Sequence, residues 1–448
     1  MLNLDDARDR ASALVARARR AGADAADAVY AADASESVSV RLGRLEDVER
    51  SESERLALRV FVGQRSASIG STDFDAAALD ELAARAVAMA RAAPEDRYAG
   101  LAPEALLLRG PAPALDLEDR TEPRPQALRE AAEAAEAAAR AVAGVTNSEG
   151  GAAGAGRALV ALATSHGFAG AYAATSHSLS VSVVAGEGSA MQRDYAWRSA
   201  RHGDDLPTPA AIGALAAERA VARVNPGRLK SGPMPVVFDP RVGSTLIGHL
   251  IGAMSGSAIA RRASFLLDHE EAQIFDSAVT ITDEPHLRRG LRSRPFDGEG
   301  LPTARRHLVE NGRLTGWLMD SAAARQLGRS PTGHAARGGG GAPHVSASNV
   351  HLAPGPLSRG ALIADIADGV YVTELIGHGV NGVTGDYSRG AAGFRISGGA
   401  IAGPVAEFTI AGNLLAMFKT LRPADDLEWH RAVNVPTLRI DAMTVAGD

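Results

Sequence analysis

The residues best equipped for chemistry are concentrated in Gly377-His378-Gly379-Val380-Asn381-Gly382-Val383-Thr384-Gly385-Asp386-Tyr387-Ser388-Arg389-Gly390-Ala391-Ala392-Gly393-Phe394. An imidazole, a carboxylate, a hydroxyl and a guanidinium so close together could serve a serine hydrolase or a clamp for an extended peptide. A nucleophile elbow reads Gly-x-Ser-x-Gly, and Asp386-Tyr387-Ser388-Arg389-Gly390 lacks its first glycine. The plainer expectation is a tight turn in which Asp386 caps backbone N–H groups and Arg389 pairs with a carboxylate.

Other clusters carry less. Asp268-His269-Glu270-Glu271 starts like a short zinc motif, but Gln273 stands where its second histidine belongs, so an exposed polar turn is expected. His344 and His351 flank Asn349 without a carboxylate or cysteine to complete a metal site. Gly338-Gly339-Gly340-Gly341 lacks the Gly-Lys-Ser/Thr ending of a phosphate cradle. Arg288, Arg289, Arg292 and Arg294 have no interleaved aromatics and read as a solvated loop.

Chemistry of this kind needs a scaffold, and 448 residues are too many for one core, predicting two or three domains. The hydrophobic share of 46% is that of an ordinary globular chain, and a net charge of -6 with interspersed signs argues against a nucleic-acid or membrane surface. The absence of cysteine excludes disulfides, thiolate zinc sites and cysteine nucleophiles, and fits a reducing compartment. The N-terminus shows no secretory pattern and no run reaches the ~20 apolar residues of a membrane span, so a cytoplasmic location is expected.

Periodicity divides the chain into three. Residues 4–21 have helical spacing, 38–42 and 56–62 alternate as half-buried strands, and a helix follows Asp73 and ends before Pro94, giving an N-terminal α+β domain over 1–93. Six prolines between 94 and 125 mark a semi-rigid connector. A middle α/β domain over 120–226 opens with the alanine-rich helix from Gln126, includes a strand over 178–183, and closes with a helix started by Thr208-Pro209. Short strands and glycine-rich turns dominate 233–446, a β-rich C-terminal domain after the strand at Val236-Val237-Phe238. The expected class is α+β.

Several stretches carry a resemblance. They are Met191-Gln192-Arg193-Asp194-Tyr195, Gly256-Ser257-Ala258-Ile259-Ala260-Arg261, Phe296-Asp297-Gly298-Glu299-Gly300, Asn311-Gly312-Arg313-Leu314-Thr315-Gly316-Trp317, the glycine-rich run, and Ile410-Ala411-Gly412-Asn413-Leu414. Together they resemble the PmbA/TldD family over nearly the whole chain. In that family a catalytic subunit, TldD, carries a His-Glu-x-x-x-His zinc-protease motif that its sister subunit lacks. The matching segment here is Ser244-Thr245-Leu246-Ile247-Gly248-His249, without the first histidine or the glutamate, and the family's further cysteine ligand is missing too. Zinc ligation and water activation need those groups, so the resemblance implies a degenerate zinc motif at Ser244, Thr245 and His249, no catalytic residue and no metal in this chain. It also implies zinc in a TldD-like partner, a cytosolic TldD/TldE heterodimer that trims or degrades unfolded peptides, and an older label as a modulator of DNA gyrase; the alternative readings are a homodimer that binds peptides without catalysis, or a hydrolase with a non-zinc site around Asp386, Ser388 and His378. His378, Asn381, Asp386, Tyr387 and Arg389 are then expected at the peptide or the partner, with neither nucleic acid nor membrane bound directly.

Overall fold

A computed structural model describes residues 2–122, 124–338 and 341–448. Pro123 of the expected connector and Gly339 and Gly340 of the tetraglycine lie outside the described residues.

Helix α1 (Leu4–Arg20) begins where the Asn3 side chain accepts the Asp6 N–H at 2.8 Å, and it ends in three arginines, the charge order a helix dipole favours. Its buried stripe is Ala7, Ala11, Leu14, Val15 and Ala18. Two long strands follow, β1 (Ala25–Arg41) and β2 (Arg44–Val62), then β3 (Arg65–Ser71) and helix α2 (Ala76–Ala92). Helix α3 (Pro125–Arg140), strands β4 (Val145–Thr164), β5 (Ala169–Ala185) and β6 (Gln192–Ala200), and helix α4 (Pro209–Ala222) make up the middle segment. Helix α4 starts as the sequence suggests, with the Thr208 hydroxyl accepting the Ala211 N–H and Pro209 in the first turn.

The two N-terminal segments share one sheet. All six strands run antiparallel in the order β3-β2-β1-β4-β5-β6, because β1 pairs with β2 on one side and β4 on the other. One sheet face is covered by α1 and α2 over Tyr30, Leu56, Leu58 and Leu159, and farther along by α3 and α4 over Val38, Leu179, Val181 and Val183. On the opposite face Val29 and Leu162 meet Phe168, Phe296 and Leu301, which docks the C-terminal segment on the sheet. Buried Asp27 reinforces this contact by accepting Arg59 Nε at 3.0 Å and Arg337 Nη1 at 2.7 Å.

The connector is fastened along its length. The Arg325 guanidinium donates to the carbonyls of Tyr98, Gly100 and Leu101 at 2.8, 2.9 and 3.0 Å. Two of the four arginines expected to be solvated help to hold it as well, while Arg292 is exposed as expected. Arg288 and Arg289 pair with Asp116, Arg289 also reaches Asp205 at 3.1 Å, and Arg294 donates to the Ser346 carbonyl at 2.7 Å. Arginine fits this work because its planar fork satisfies several acceptors at once.

The C-terminal segment is β-rich, as expected. Strand β7 (Gly232–Phe238) runs parallel to Asp368–Ile376 and antiparallel to Leu438–Ala446. Asp368–Ile376 pairs with Asp386–Ser397, which pairs with Ala400–Asn413, and the last of these returns to Leu438–Ala446 to close a ring of five strands. Closure removes the open edges that such short strands would otherwise expose. Helix α5 (Pro240–Ala253) lays Leu246, Ile247 and Leu250 into the largest core of the molecule.

Candidate functional site

Helix α5 carries Ser244–His249, the segment expected to be a degenerate zinc motif. The Asp239 side chain accepts the Arg241 N–H at 2.9 Å and Pro240 occupies the first turn, so the helix start is fixed by local chemistry. The Thr245 hydroxyl donates to the Val242 carbonyl at 2.6 Å and that of Ser244 to the Arg241 carbonyl at 3.5 Å. Both hydroxyls are thus spent on their own helix. His249 points its ring at Tyr387, edge to face, with centroids 6.3 Å apart.

The glycine-rich run supplies the other wall. Strand Asp386–Ser397 has the two-residue alternation that puts Tyr387 and Arg389 on one face, Tyr387 only 1% exposed. The preceding residues fold back on this strand: Val380 sits across from Tyr387, Asn381 N donates to the Asp386 carbonyl at 2.8 Å, and Ser388 N to the Gly379 carbonyl at 2.7 Å. Only glycine fits at 379, since a Cβ there would lie 2.0 Å from the Ser388 carbonyl oxygen. The Asn381 side chain organises the turn by accepting Val383 N at 2.9 Å and Thr384 N at 3.3 Å.

Asp386 differs from the expected backbone cap. Its carboxylate accepts the Thr384 hydroxyl at 2.6 Å and the Asn413 amide at 3.3 Å, and these bonds hold its pKa below the usual carboxylate value. Asn413 also accepts Leu415 N at 3.1 Å, capping helix Leu414–Thr420, so two of the family-like stretches lock together here. Nor does Arg389 find a carboxylate: among the described residues it makes no ion pair, and its Nε reaches only the Ile376 carbonyl at 3.4 Å. His378 and Asn381 lie exposed, and Ile376 and Val383 beside them are 60% and 54% exposed. No hydrogen bond among the described residues links His378, Ser388 and Asp386 into a triad. A groove of about 550 Å³ opens beside the strand, lined by Arg223, Glu374, Ile376, Ala391, Ala392 and Ala406 among others.

The structure therefore gathers His249, Tyr387 and Arg389 from distant parts of the sequence and leaves His378 and Asn381 outside that cluster. Burial, and next the Arg389 charge, lower the pKa of His249, while burial raises that of Tyr387. Neither the Tyr387 hydroxyl nor His249 Nε2 has a hydrogen-bond partner among the described residues. In this cluster one imidazole faces a phenol and a guanidinium, and no group of three or more His, Asp or Glu among the described residues is placed to hold a metal.

Spacing in the sequence gave no hint of the ion-pair network that positions α5. Asp194, 1% exposed, accepts Arg241 Nη1 and Nη2 at 2.7 and 3.1 Å and Arg223 Nη1 at 3.2 Å, and Arg223 also pairs with Glu374. Asp194 lies in the family-like stretch Met191–Tyr195, which was the one available signal.

Comparison with known proteins agrees with this architecture. Family profiles match throughout: PmbA/TldA metallopeptidase domain 1 over residues 26–90, the central domain over 112–224 and the C-terminal domain over 231–447. The chain is 39% identical over 413 residues to the metalloprotease PmbA of Escherichia coli O157:H7, covering 92% of this chain and 90% of that protein. It is 36% identical over 443 residues to a metalloprotease PmbA homolog of Haemophilus influenzae, covering 98% and 96%. A crystal structure from Bacteroides thetaiotaomicron, described as a candidate modulator of DNA gyrase, superposes with a TM-score of 0.92 at 27% identity over 100% of both chains. TldE from Thermococcus kodakarensis shares the fold, with a TM-score of 0.86 at 21% identity over 98% of this chain and 100% of that one. With its three segments matched in order and full-length relatives above 30% identity, the chain belongs to the PmbA/TldD family of metallopeptidases.

Proposed function

We propose that the chain is a TldE/PmbA-like, non-catalytic subunit of a heterodimeric zinc metalloprotease that degrades or trims unfolded peptides in the cytoplasm. The observation that carries this reading is the surroundings of His249, where the would-be ligand faces Tyr387 and feels the positive charge of Arg389. A nearby guanidinium opposes a cation, and Ser244 and Thr245 can neither ligate zinc as imidazole does nor activate its water as carboxylate does. Zinc comes wholly from a TldD-like partner in this reading. Metal analysis of the purified chain should find far less than one zinc per chain; about one, lost in His249→Ala, contradicts the proposal.

The exposed Ile376, which lines a groove of about 550 Å³, gives this surface the form of a contact for the partner or for an extended peptide. No helix among the described residues is long and apolar enough to cross a membrane. The decisive experiment mixes the chain with a TldD-like subunit and follows cleavage of an unfolded peptide. Chelator-sensitive cleavage by the mixture but not by this chain alone is expected, and the double variant Asp386→Ala, Arg389→Ala should slow it by about tenfold or more while the isolated chain stays folded, a loss of about 1.4 kcal/mol in transition-state stabilisation. Chelator-resistant hydrolysis by the chain alone, abolished in Ser388→Ala, would establish a hydrolase instead.

A further inference from the structure

We propose that His249, Tyr387 and Arg389 form a carboxylate-binding subsite, taking the free C-terminus or an acidic side chain of an extended peptide. The inference rests on the peptide-handling role above and names the chemistry by which this chain would perform it.

Three observations converge. Arg389 is half-buried and has no carboxylate partner among the described residues: Asp386 is held by Thr384 and Asn413, and Glu374 pairs with Arg223. A guanidinium fork in such a place matches a carboxylate in shape and charge. Next to it, the Tyr387 hydroxyl and His249 Nε2 are buried without partners, and buried polar atoms are rarely left so, because each forgoes the hydrogen bonds it made in water. Finally, Arg389 Nε reaches only the carbonyl of Ile376, the last residue of strand Asp368–Ile376, so the guanidinium sits at a strand end and its remaining N–H groups donate to nothing among the described residues. In the free chain both unpartnered atoms are covered, Val380 lying across from Tyr387 in the fold-back. The carboxylate would meet Arg389 first and the Tyr387 hydroxyl once that loop moves aside.

Fluorescence anisotropy with the purified full-length chain tests this, using three N-terminally labelled peptides: one with a free C-terminus and no acidic residue, its C-terminal amide, and an amide with glutamate near the end. The free acid should bind about tenfold tighter than the plain amide, the scale of one charge-assisted hydrogen bond. Arg389→Ala and Tyr387→Phe should each reduce the free acid to the level of the amide. Tyr387→Phe should do so with an unchanged or higher Tm, because it removes an unpartnered hydroxyl; a merely structural tyrosine would not separate binding from stability in this way. If the glutamate amide binds as the free acid does, side-chain carboxylates are accepted too. Equal binding of all three peptides, no binding at millimolar peptide, or a preference that survives both variants overturns the subsite. Partner-dependent cleavage without the carboxylate preference removes this inference alone, whereas the preference without such cleavage removes only the subunit reading.

Discussion

Replacing Asp194 with alanine is expected to destabilise the chain by about 3–5 kcal/mol, the usual cost of breaking a buried ion pair from one side. The variant would leave two buried guanidiniums, Arg223 and Arg241, short of their shared acceptor at the junction between β6 and α5. Burial opposes ionisation of Asp194, but its bonds to Arg241 and the charges of Arg241 and Arg223 prevail and lower its pKa. A carboxylate with a depressed pKa contributes stability above its unfolded value, near 3.8, that is lost as pH falls through the folded value, so the gap between wild type and variant should narrow below about pH 4. Urea unfolding at pH 7 and at pH 3 measures both effects. An unchanged midpoint at pH 7 rules out this role for Asp194. Since Arg241 lies in the first turn of α5, the same variant should also weaken peptide binding through His249.

Glu299→Gln is the second substitution with a large expected effect, and it should stabilise. Burial, followed by the charge of Asp297, raises the pKa of Glu299 to about 7, although Ser321 donates both its N–H and its hydroxyl to one carboxylate oxygen at 2.8 Å. The unfolded chain ionises near 4.5 and the folded one near 7, so the unfolded state holds fewer protons in this window and wild-type stability falls as pH rises through it. At about 1.4 kcal/mol per unit, the loss is about 3–4 kcal/mol at most. Glutamine keeps an acceptor for Ser321 and carries no charge, so at pH 8 it should be more stable by about 1–3 kcal/mol, and the difference should vanish near pH 4. Parallel stability profiles for the two proteins from pH 4 to 8 would refute the assignment.

What could be read from the sequence was local. Thr208-Pro209 announced α4 because a cap and a first-turn proline act within a few residues, and the serine alternation in 178–183 lies inside β5 because a strand with one wet face repeats every second residue. The helix expected after Asp73 is α2, but which of its apolar residues are buried depends on the sheet it packs on: Met89 is 44% exposed because it lies off the stripe of Leu79, Leu82, Ala86 and Ala90. The site was legible only in parts. Ser244–His249 and Tyr387–Arg389 were each visible as segments, but their meeting depends on α5 crossing a closed ring of strands, which no local pattern encodes. The bonds of Asp194 to Arg241 and of Asp27 to Arg337 were hidden for the same reason, each joining residues from different segments.

The order of strands in the N-terminal sheet also governs how the chain can be made. Strand β1 is central, yet its β4 neighbour, Val145–Thr164, is synthesised more than a hundred residues later, after α2, the connector and α3. Until then one long edge of β1 has nothing to bond with, and loop closure across so wide a separation is slow. A chain released or cut near residue 93 would therefore present a bare, partly apolar strand of 17 residues, an invitation to pair with other copies. The nascent protein should depend on chaperones that shield unpaired edges, and its first segment, although matched by a family profile of its own, should aggregate when expressed alone.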